Sequence, residues 1–169
     1  MPYADTVATV RSWSSERAIA VWTIFAGDLP TTALAQLDAD FESVRSDGAT
    51  VVLVVPDNVS PTPVERRLAD IVVRGPLPPA PFGLLVALAA VDVPDVRRLG
   101  LIGGSRDALI AGRCAGAGAV IGIAAPGSSD RLDLLRGQPD RIVEPSEFAA
   151  MDAAPVRSPG FGVGMAGGG

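Results

Sequence analysis

The feature that most constrains the fold is a series of short, continuously apolar segments that alternate with segments of helical periodicity. Apolar runs such as residues 18–25 (AIAVWTIF) and 50–55 (TVVLVV) are typical of parallel strands that are buried on both faces. Strands are predicted in this way at residues 18–25, 50–55, 70–73, 99–102, 119–123 and 141–143.

The segments between these strands have helical spacing or helix-start signals. In residues 31–45, for example, Leu34, Leu37, Phe41 and Val44 recur every three or four positions. Helices are predicted at residues 31–45, 63–68, 81–91, 105–115, 128–135 and 145–151. Alternating strands and helices predict an α/β domain with three layers (α/β/α), a Rossmannoid fold whose mostly parallel sheet has five to six strands.

The domain organisation follows from where this pattern begins and ends. Residues 1–17 are polar and weakly patterned, which indicates a flexible lead, and residues 18–152 carry the α/β core. Residues 153–169 have no periodicity and end in glycines, a composition typical of a disordered tail.

Composition excludes several kinds of chemistry. The chain has 169 residues and no histidine, and all 14 of its basic residues are arginines. It therefore has no imidazole base, no Ser-His-Asp triad and no lysine for a Schiff base or a P-loop. The net charge of −5 and the absence of any basic run argue against a nucleic-acid partner.

The cellular setting is inferred from three features. The first residues lack the apolar core of a signal peptide, and the longest apolar stretches are shorter than the ~20 residues that span a bilayer. Cys114 is the only cysteine, so no internal disulfide forms, and its apolar neighbours suggest an inert core residue. We expect a cytoplasmic protein with no membrane partner.

Residues 78–123 (PPAPFGLLVALAAVDVPDVRRLGLIGGSRDALIAGRCAGAGAVIGI) carry a resemblance to a known family. They resemble the C-terminal half of the haloacid dehalogenase-like (HAD) phosphohydrolases, nearest the phosphonoacetaldehyde hydrolase and phosphoglycolate phosphatase branch. That family runs [KR]-P-A-P, a helix, a strand, G-D-[ST]-x-x-D and then A-G-x-x-A-G. The resemblance implies a HAD-like fold, but the helical cap domain is missing, because only about 28 residues separate Ala26 from Val55.

The resemblance also implies that the catalytic motifs are degenerate. Among the family's motif acids only one is matched, by Asp28, at the position of the general acid; an ordinary turn or cap residue is the alternative. The positions that lack the family's functional side chain are Ala26 (nucleophile), Val55 (phosphate-binding hydroxyl), Pro78 (lysine or arginine), Gly104 and Ala108 (the two aspartates of the Mg²⁺ motif). Arg74 is near enough in sequence to replace the basic residue lost at Pro78. No catalytic residue and no protein metal site is therefore predicted.

A ligand site is predicted where the fourth long strand meets the next helix. Gly103, Gly104 and Ser105 open that helix, so backbone N–H groups there can hold an anion, and Arg106 can add positive charge. The alternative is an ordinary strand-to-helix turn that Ser105 caps.

Three functions remain open. The first is a non-catalytic HAD-like protein that acts by binding, either as a subunit or regulator of a partner protein or as a small-anion binder. The second is a divergent phosphohydrolase that uses Asp28, Asp57 or Asp107 and requires Mg²⁺ on a small phosphate ester. The third is a structural component docked through its C-terminal tail. We expect a protein partner or a homo-oligomer and no cofactor, except Mg²⁺ under the second hypothesis.

Overall fold

Six strands and their connecting helices form one α/β domain in the computed structural model, which describes residues 17–124 and 130–143. The strands are β1 (Val21–Phe25), β2 (Thr50–Pro56), β3 (Ile71–Gly75), β4 (Leu99–Gly103), β5 (Ala119–Ile123) and β6 (Arg141–Val143). The helices are α1 (Thr31–Ser46), α2 (Pro63–Leu68), α3 (Phe82–Ala90), α4 (Arg106–Ala115) and α5 (Asp130–Leu135), with a 3₁₀ turn at Val96–Arg98.

The sheet is parallel throughout, in the order β3-β2-β1-β4-β5-β6. The chain builds outward from β1 to β3, then returns to place β4 on the other side of β1. Val21 is consequently paired with both Thr50 and Leu99. In open sheets of this kind, the crevice beyond the carboxyl ends of the strands, where the order reverses, is the usual ligand site. That point lies between β1 and β4.

Two apolar layers sandwich the sheet. Leu34, Leu37 and Phe41 of α1 pack with Trp22 and Ile24 on one face. On the other face α3, α4 and α5 supply buried side chains that include Leu84, Leu109 and Leu134. Strand residues alternate between these two layers, since successive side chains of a strand point to opposite faces. The predicted three-layer fold with a parallel sheet of up to six strands is confirmed.

Several boundaries differ from the sequence prediction. Strand β1 begins at Val21 rather than at residue 18, because Arg17 and Ala18 form a turn in which Ala18 has a φ of 53°. Helix α4 begins at Arg106, and Ser105 is its N-cap, accepting a hydrogen bond from the Ala108 amide. Strand β3 extends to Gly75. The predicted helix at 145–151 and the tail at 153–169 lie outside the described residues.

At the amino end of the sheet, two aspartates fix the two edge strands in the same way. Asp70 precedes β3, and its carboxylate accepts hydrogen bonds from the Val51 amide of β2 and from Arg45, both at 2.9 Å. Asp140 precedes β6 and accepts from the Val120 amide of β5 and from Arg113, both at 2.8 Å. Each edge strand is thereby tied to its neighbour through an aspartate that an arginine neutralises.

Both arginines also reach the main chain two residues before their aspartate. Arg45 donates to the Leu68 carbonyl and Arg113 to the Gln138 carbonyl. Burial alone would raise the pKa of Asp140, but the hydrogen bonds from Arg113 and the Val120 amide, with the nearby guanidinium charges, hold that pKa below its usual value.

The expectation for Cys114 is wrong. Its side chain is exposed, because position 114 falls on the outer face of α4, while Ala108, Leu109, Ala111 and Gly112 form the buried face. As for membranes, none of the helices among the described residues is both long and apolar enough to cross one.

Candidate functional site

A cleft of about 260 Å³ opens at the carboxyl ends of the central strands, at the point where the strand order reverses. It is lined by Phe25, Ala26, Gly27, Asp28, Pro56, Val59, Leu77, Pro78, Ser105 and Asp107. Segments far apart in sequence thus meet here, among them four predicted site positions: Ala26, Asp28, Pro78 and Ser105. The only charged side chains in this lining are Asp28 and Asp107, so the cleft is acidic with apolar walls.

The loop after β1 is tied to the start of α4 by the carboxylate of Asp28. One oxygen accepts a hydrogen bond of 2.7 Å from the Gly104 amide, and the other accepts one of 2.6 Å from the Ser105 hydroxyl. The Ser105 oxygen in turn accepts from the Ala108 amide at 3.2 Å. Asp28 therefore holds the two segments together. Its carboxylate lies at the N-terminus of α4, where the helix dipole favours a negative charge.

The ionisation of Asp28 reflects two opposing effects. Burial raises the pKa of its carboxyl above the usual value, and the hydrogen bonds from Ser105 and the Gly104 amide offset only part of that rise. The carboxylates of Asp107 and Glu65 add to the increase. No guanidinium is among the groups that shift it. The carboxylate is thus held by neutral donors alone.

The predicted anion site overlaps this contact. Of its four residues, Gly103 ends β4, while Gly104 and Ser105 already donate to Asp28. Arg106 points its guanidinium toward α5, where it lies 3.4 Å from Asp133. An external anion would have to displace an internal carboxylate to reach these donors. The anion site stays a prediction, and the carboxylate of Asp28 would compete with an external anion for the donors of that site.

Position 104 is closed to any side chain. A β-carbon built on Gly104 would lie 2.4 Å from the backbone oxygen of Asp28 and 3.2 Å from Cδ2 of Leu29. The resemblance assigns a metal-binding aspartate to this position. Here the two loops approach so closely that such an aspartate would force them apart.

Three of the other lost positions are apolar and buried, and the fourth, Pro78, is a half-buried residue of the cleft lining. Ala26 and Val55 belong to the core layer beneath α1, and Ala108 belongs to the layer beneath α3 and α4. Arg74, the suggested replacement for a basic residue at Pro78, is exposed on β3 and does not line the cleft. Asp57 is likewise exposed, in the turn after β2.

Glu65 is a polar residue of the site that the sequence analysis missed. It is 1% exposed, and its carboxylate accepts hydrogen bonds from the Gly27 amide at 2.7 Å and from the Thr62 amide at 2.8 Å. The pattern Thr62-x-x-Glu65 is a capping box, which sequence alone can suggest. The contact with Gly27 joins the loop after β1 to α2, across 38 positions of the chain, and has no local signal.

The described residues do not fit a divalent metal ion. They contain no group of three or more histidine, cysteine, aspartate or glutamate side chains arranged to hold one. Both oxygens of Asp28 and both of Glu65 are used by donors of the protein itself. Mg²⁺ in proteins is usually bound through one or two carboxylates together with water or phosphate oxygens, and no step through Mg²⁺ is derived for this cleft.

Solved structures with the same arrangement of strands and helices are HAD-like phosphatases and related proteins. The chain aligns with a protein assigned as a β-phosphoglucomutase from Thermotoga maritima at a TM-score of 0.52 and 18% identity, over 68% of this chain and 57% of that one. The chain thus spans little more than half the length of that relative. It aligns with 3-deoxy-D-manno-octulosonate 8-phosphate phosphatase from Moraxella catarrhalis at a TM-score of 0.52 and 14% identity, covering 80% and 81%.

A haloacid dehalogenase-like family protein from Streptococcus pneumoniae aligns at a TM-score of 0.50 and 14% identity, covering 79% of this chain and 98% of that one. No protein-family model and no curated protein sequence matches the chain. The fold is HAD-like, as the resemblance implies. Identities this low define the fold alone, and the nearest branch stays a prediction.

Proposed function

We propose that this chain is a non-catalytic HAD-like protein that acts by binding, as a subunit or regulator of a partner protein. The observation that carries the proposal is the contact of Asp28 with the Gly104 amide and the Ser105 hydroxyl. The one acid that matches a family motif is engaged in holding two loops together, and the neighbouring position 104 has no room for a second acid.

The rest of the cleft supports a structural role for the former catalytic positions. Ala26 has no nucleophilic atom, so no covalent phosphoryl intermediate can form on it. Replacing carboxylates by apolar residues also removes the free-energy cost of burying unpaired charges. A core freed from catalysis is expected to accumulate such changes, because the fold gains stability from each of them.

Binding of a small anion receives less support than binding of a protein. The charged residues that line the cleft are both acids, which repel an anion. Glu65 and Asp28 also occupy the Gly27 and Gly104 amides, the backbone donors that an anion would use. The third hypothesis, docking through the C-terminal tail, depends on residues outside the described part of the chain.

A divergent phosphohydrolase is the competing proposal, because Asp28 and Asp107 both line the same cleft. The deciding experiment measures phosphate release from a panel of phosphate esters and phosphonates in the presence of Mg²⁺. Wild type is compared with Asp28→Asn and with Asp38→Asn, a matched change of an exposed aspartate on α1.

Our proposal expects no turnover above background in any of the three proteins, each shown to be folded by circular dichroism. Turnover that is lost in Asp28→Asn and kept in Asp38→Asn would establish the phosphohydrolase and refute the proposal. Equal turnover in all three proteins would show that the activity does not depend on Asp28, and a repeat after further purification would separate a contaminating phosphatase from turnover by another residue such as Asp107.

A further inference from the structure

The outer face of α3 is an exposed apolar surface that the fold of the single chain does not explain. From Gly75 to Val91 the sequence contains no charged and no hydrogen-bonding side chain. The outer face of α3 presents Phe82, 61% exposed, with Leu85 and Val86, each 41% exposed. A helix that is apolar all round is typically buried on all sides, and this one is covered on one side only.

The inner face of α3 is fixed and cannot turn to hide these side chains. Gly83, Leu84, Ala87 and Leu88 are its buried residues. Gly83 lies against Gly75 of β3 so closely that a β-carbon on Gly75 would come within 2.6 Å of the Gly83 Cα atom. Rotation of the helix would break this close backbone packing, so its outer face stays apolar, and residues 17–124 and 130–143 leave that face open.

The outer stripe has a shape that suits a copy of itself. Positions 82, 85, 86 and 89 follow helical spacing, with the large Phe82 at one end and the small Ala89 and Ala90 at the other. In an antiparallel pair related by a two-fold axis, Phe82 of one copy lies over Ala89 and Ala90 of the other. Leu85 and Val86 then lie at the axis and contact their own counterparts.

The distribution of charge also favours a second copy of the chain as the partner of the outer α3 face. Two copies of a chain with a net charge of −5 repel each other, and a surface free of acidic residues is where that repulsion opposes self-association least. Gly75–Val91 meets that condition, since Arg74 and Asp92 are the first charged residues on either side. A partner of high charge would find no complementary group on this helix.

We propose that α3 is the interface of a homodimer, in which two copies pack their outer α3 faces antiparallel about a two-fold axis. The exposed apolar area is on the order of several hundred Å² per copy, so the interface belongs with the small ones that associate weakly and reversibly. The proposal is independent of whether the chain is catalytic, because none of Phe82, Leu85 and Val86 lines the cleft.

The test is sedimentation velocity on the full chain, from about 10 μM to about 1 mM, a range that brackets weak association. Wild type is expected to sediment increasingly as a dimer as its concentration rises. Val86→Glu and Val86→Lys each place like charges at the axis, and we expect each alone to weaken dimerisation at least about tenfold. An equimolar mixture of the two variants should dimerise again, because opposite charges then meet at the axis.

Leu132→Glu is the matched control, since Leu132 is 69% exposed on α5 at the opposite edge of the sheet. This variant should dimerise like wild type. Loss of dimer in Leu132→Glu, or no recovery in the mixture of Val86 variants, would overturn the α3 interface. A wild-type monomer over the whole range would also overturn it. In that case, low binding of a hydrophobic dye would indicate that the α3 face is covered by residues 144–169. Strong binding would indicate that the face is exposed and available to a different protein.

Discussion

The two ends of the sheet use the same residue type in opposite ways. At the amino end, Asp70 and Asp140 each bond to a neighbouring strand and each pair with an arginine. At the carboxyl end, Asp28 bonds to an amide and a hydroxyl, and no arginine is among the residues that line the cleft. The pKa values also differ, since burial raises that of Asp28, while the hydrogen bonds from Arg113 and the Val120 amide lower that of Asp140.

This difference indicates that the amino end of the sheet is maintained for stability. Charged aspartates at the amino end are compensated, so they stabilise the edge strands at neutral pH. The carboxyl end of an open α/β sheet is where ligands normally bind, and there Asp28 and Glu65 hold loops while Asp107 lines the cleft. The cleft therefore lies where an active site is expected in this kind of sheet, but its Asp28 makes the contacts of a residue that holds two loops together.

The largest effect is expected from Gly104→Asp, which returns an acid to the carboxyl end. Its β-carbon would lie 2.4 Å from the backbone oxygen of Asp28, and a second carboxylate would stand beside Asp28. We expect a loss of roughly 3 kcal/mol or more in the free energy of unfolding, from overpacking and like-charge repulsion. Urea denaturation measures it. Wild-type stability with metal-dependent phosphatase activity would show that the site can be rebuilt by one residue.

A smaller loss is expected from Glu65→Gln. The amide keeps the shape of the side chain but turns one acceptor into a donor, which faces either the Gly27 or the Thr62 amide. One buried N–H group then lacks its partner, at a cost of about 2 kcal/mol. Chemical denaturation of this variant beside Glu42→Gln, an exposed residue of α1, provides the comparison. Equal stability of the two variants would mean that Glu65 does not hold the loop.

Asp140→Asn tests the amino end. Its folded-state pKa is lowered, so the carboxylate stabilises the fold above pH 3.8, and that contribution is lost as pH falls through the folded-state pKa. We expect Asp140→Asn to be less stable by about 1 kcal/mol at pH 7, a modest value because the pair is partly exposed to solvent. The difference should shrink as pH falls below 3.8, measured by urea denaturation at each pH.

Asp28→Asn tests the carboxyl end, and its pH dependence should have the opposite sign. The folded-state pKa of Asp28 is raised, so its contribution to stability is fully present below pH 3.8 and is lost as pH rises through the folded-state pKa. Asparagine can still accept from Gly104 and can donate to Ser105. We therefore expect it to be within about 1 kcal/mol of wild type at pH 7, with relative stability that improves as pH rises. If the stability of Asp28→Asn relative to wild type declined with rising pH, the raised pKa of Asp28 and the contrast between the two ends would be contradicted.

The smallest effect is expected from Arg106→Ala. Its ion pair with Asp133 joins two half-exposed side chains at 3.4 Å, and such pairs contribute at most about 0.5 kcal/mol. Thermal denaturation at low and at moderate salt should show little difference from wild type. A large loss of thermal stability would contradict this expectation and would mean that the pair with Asp133 holds α5 in place.

Sequence predicted the fold well because its signals are local. The apolar run at residues 50–55 and the capping signals around Pro63 define a strand and a helix with few alternatives. The resemblance in residues 78–123 added the HAD-like topology, and Ala26, Asp28 and Pro78 do meet in one cleft.

The remainder of the site could not be read from sequence, because it depends on contacts across the fold. Glu65 reaches Gly27 over 38 positions, and Asp28 reaches Ser105 over 77. Neither pairing leaves a periodic or compositional trace. Cys114 was misplaced for a related reason, since in an alanine-rich helix apolar neighbours do not distinguish the buried face from the exposed one.

The most direct test of the central claim is an NMR titration that follows the backbone amides of Gly27 and Gly104 while inorganic phosphate and Mg²⁺ are added. Both amides donate to the chain's own carboxylates, those of Glu65 and Asp28. We predict that neither signal moves in a saturable way and that both amides exchange slowly with solvent. A saturable shift of both signals at millimolar phosphate would show that a ligand displaces these carboxylates, and would contradict the account of a closed, non-catalytic site.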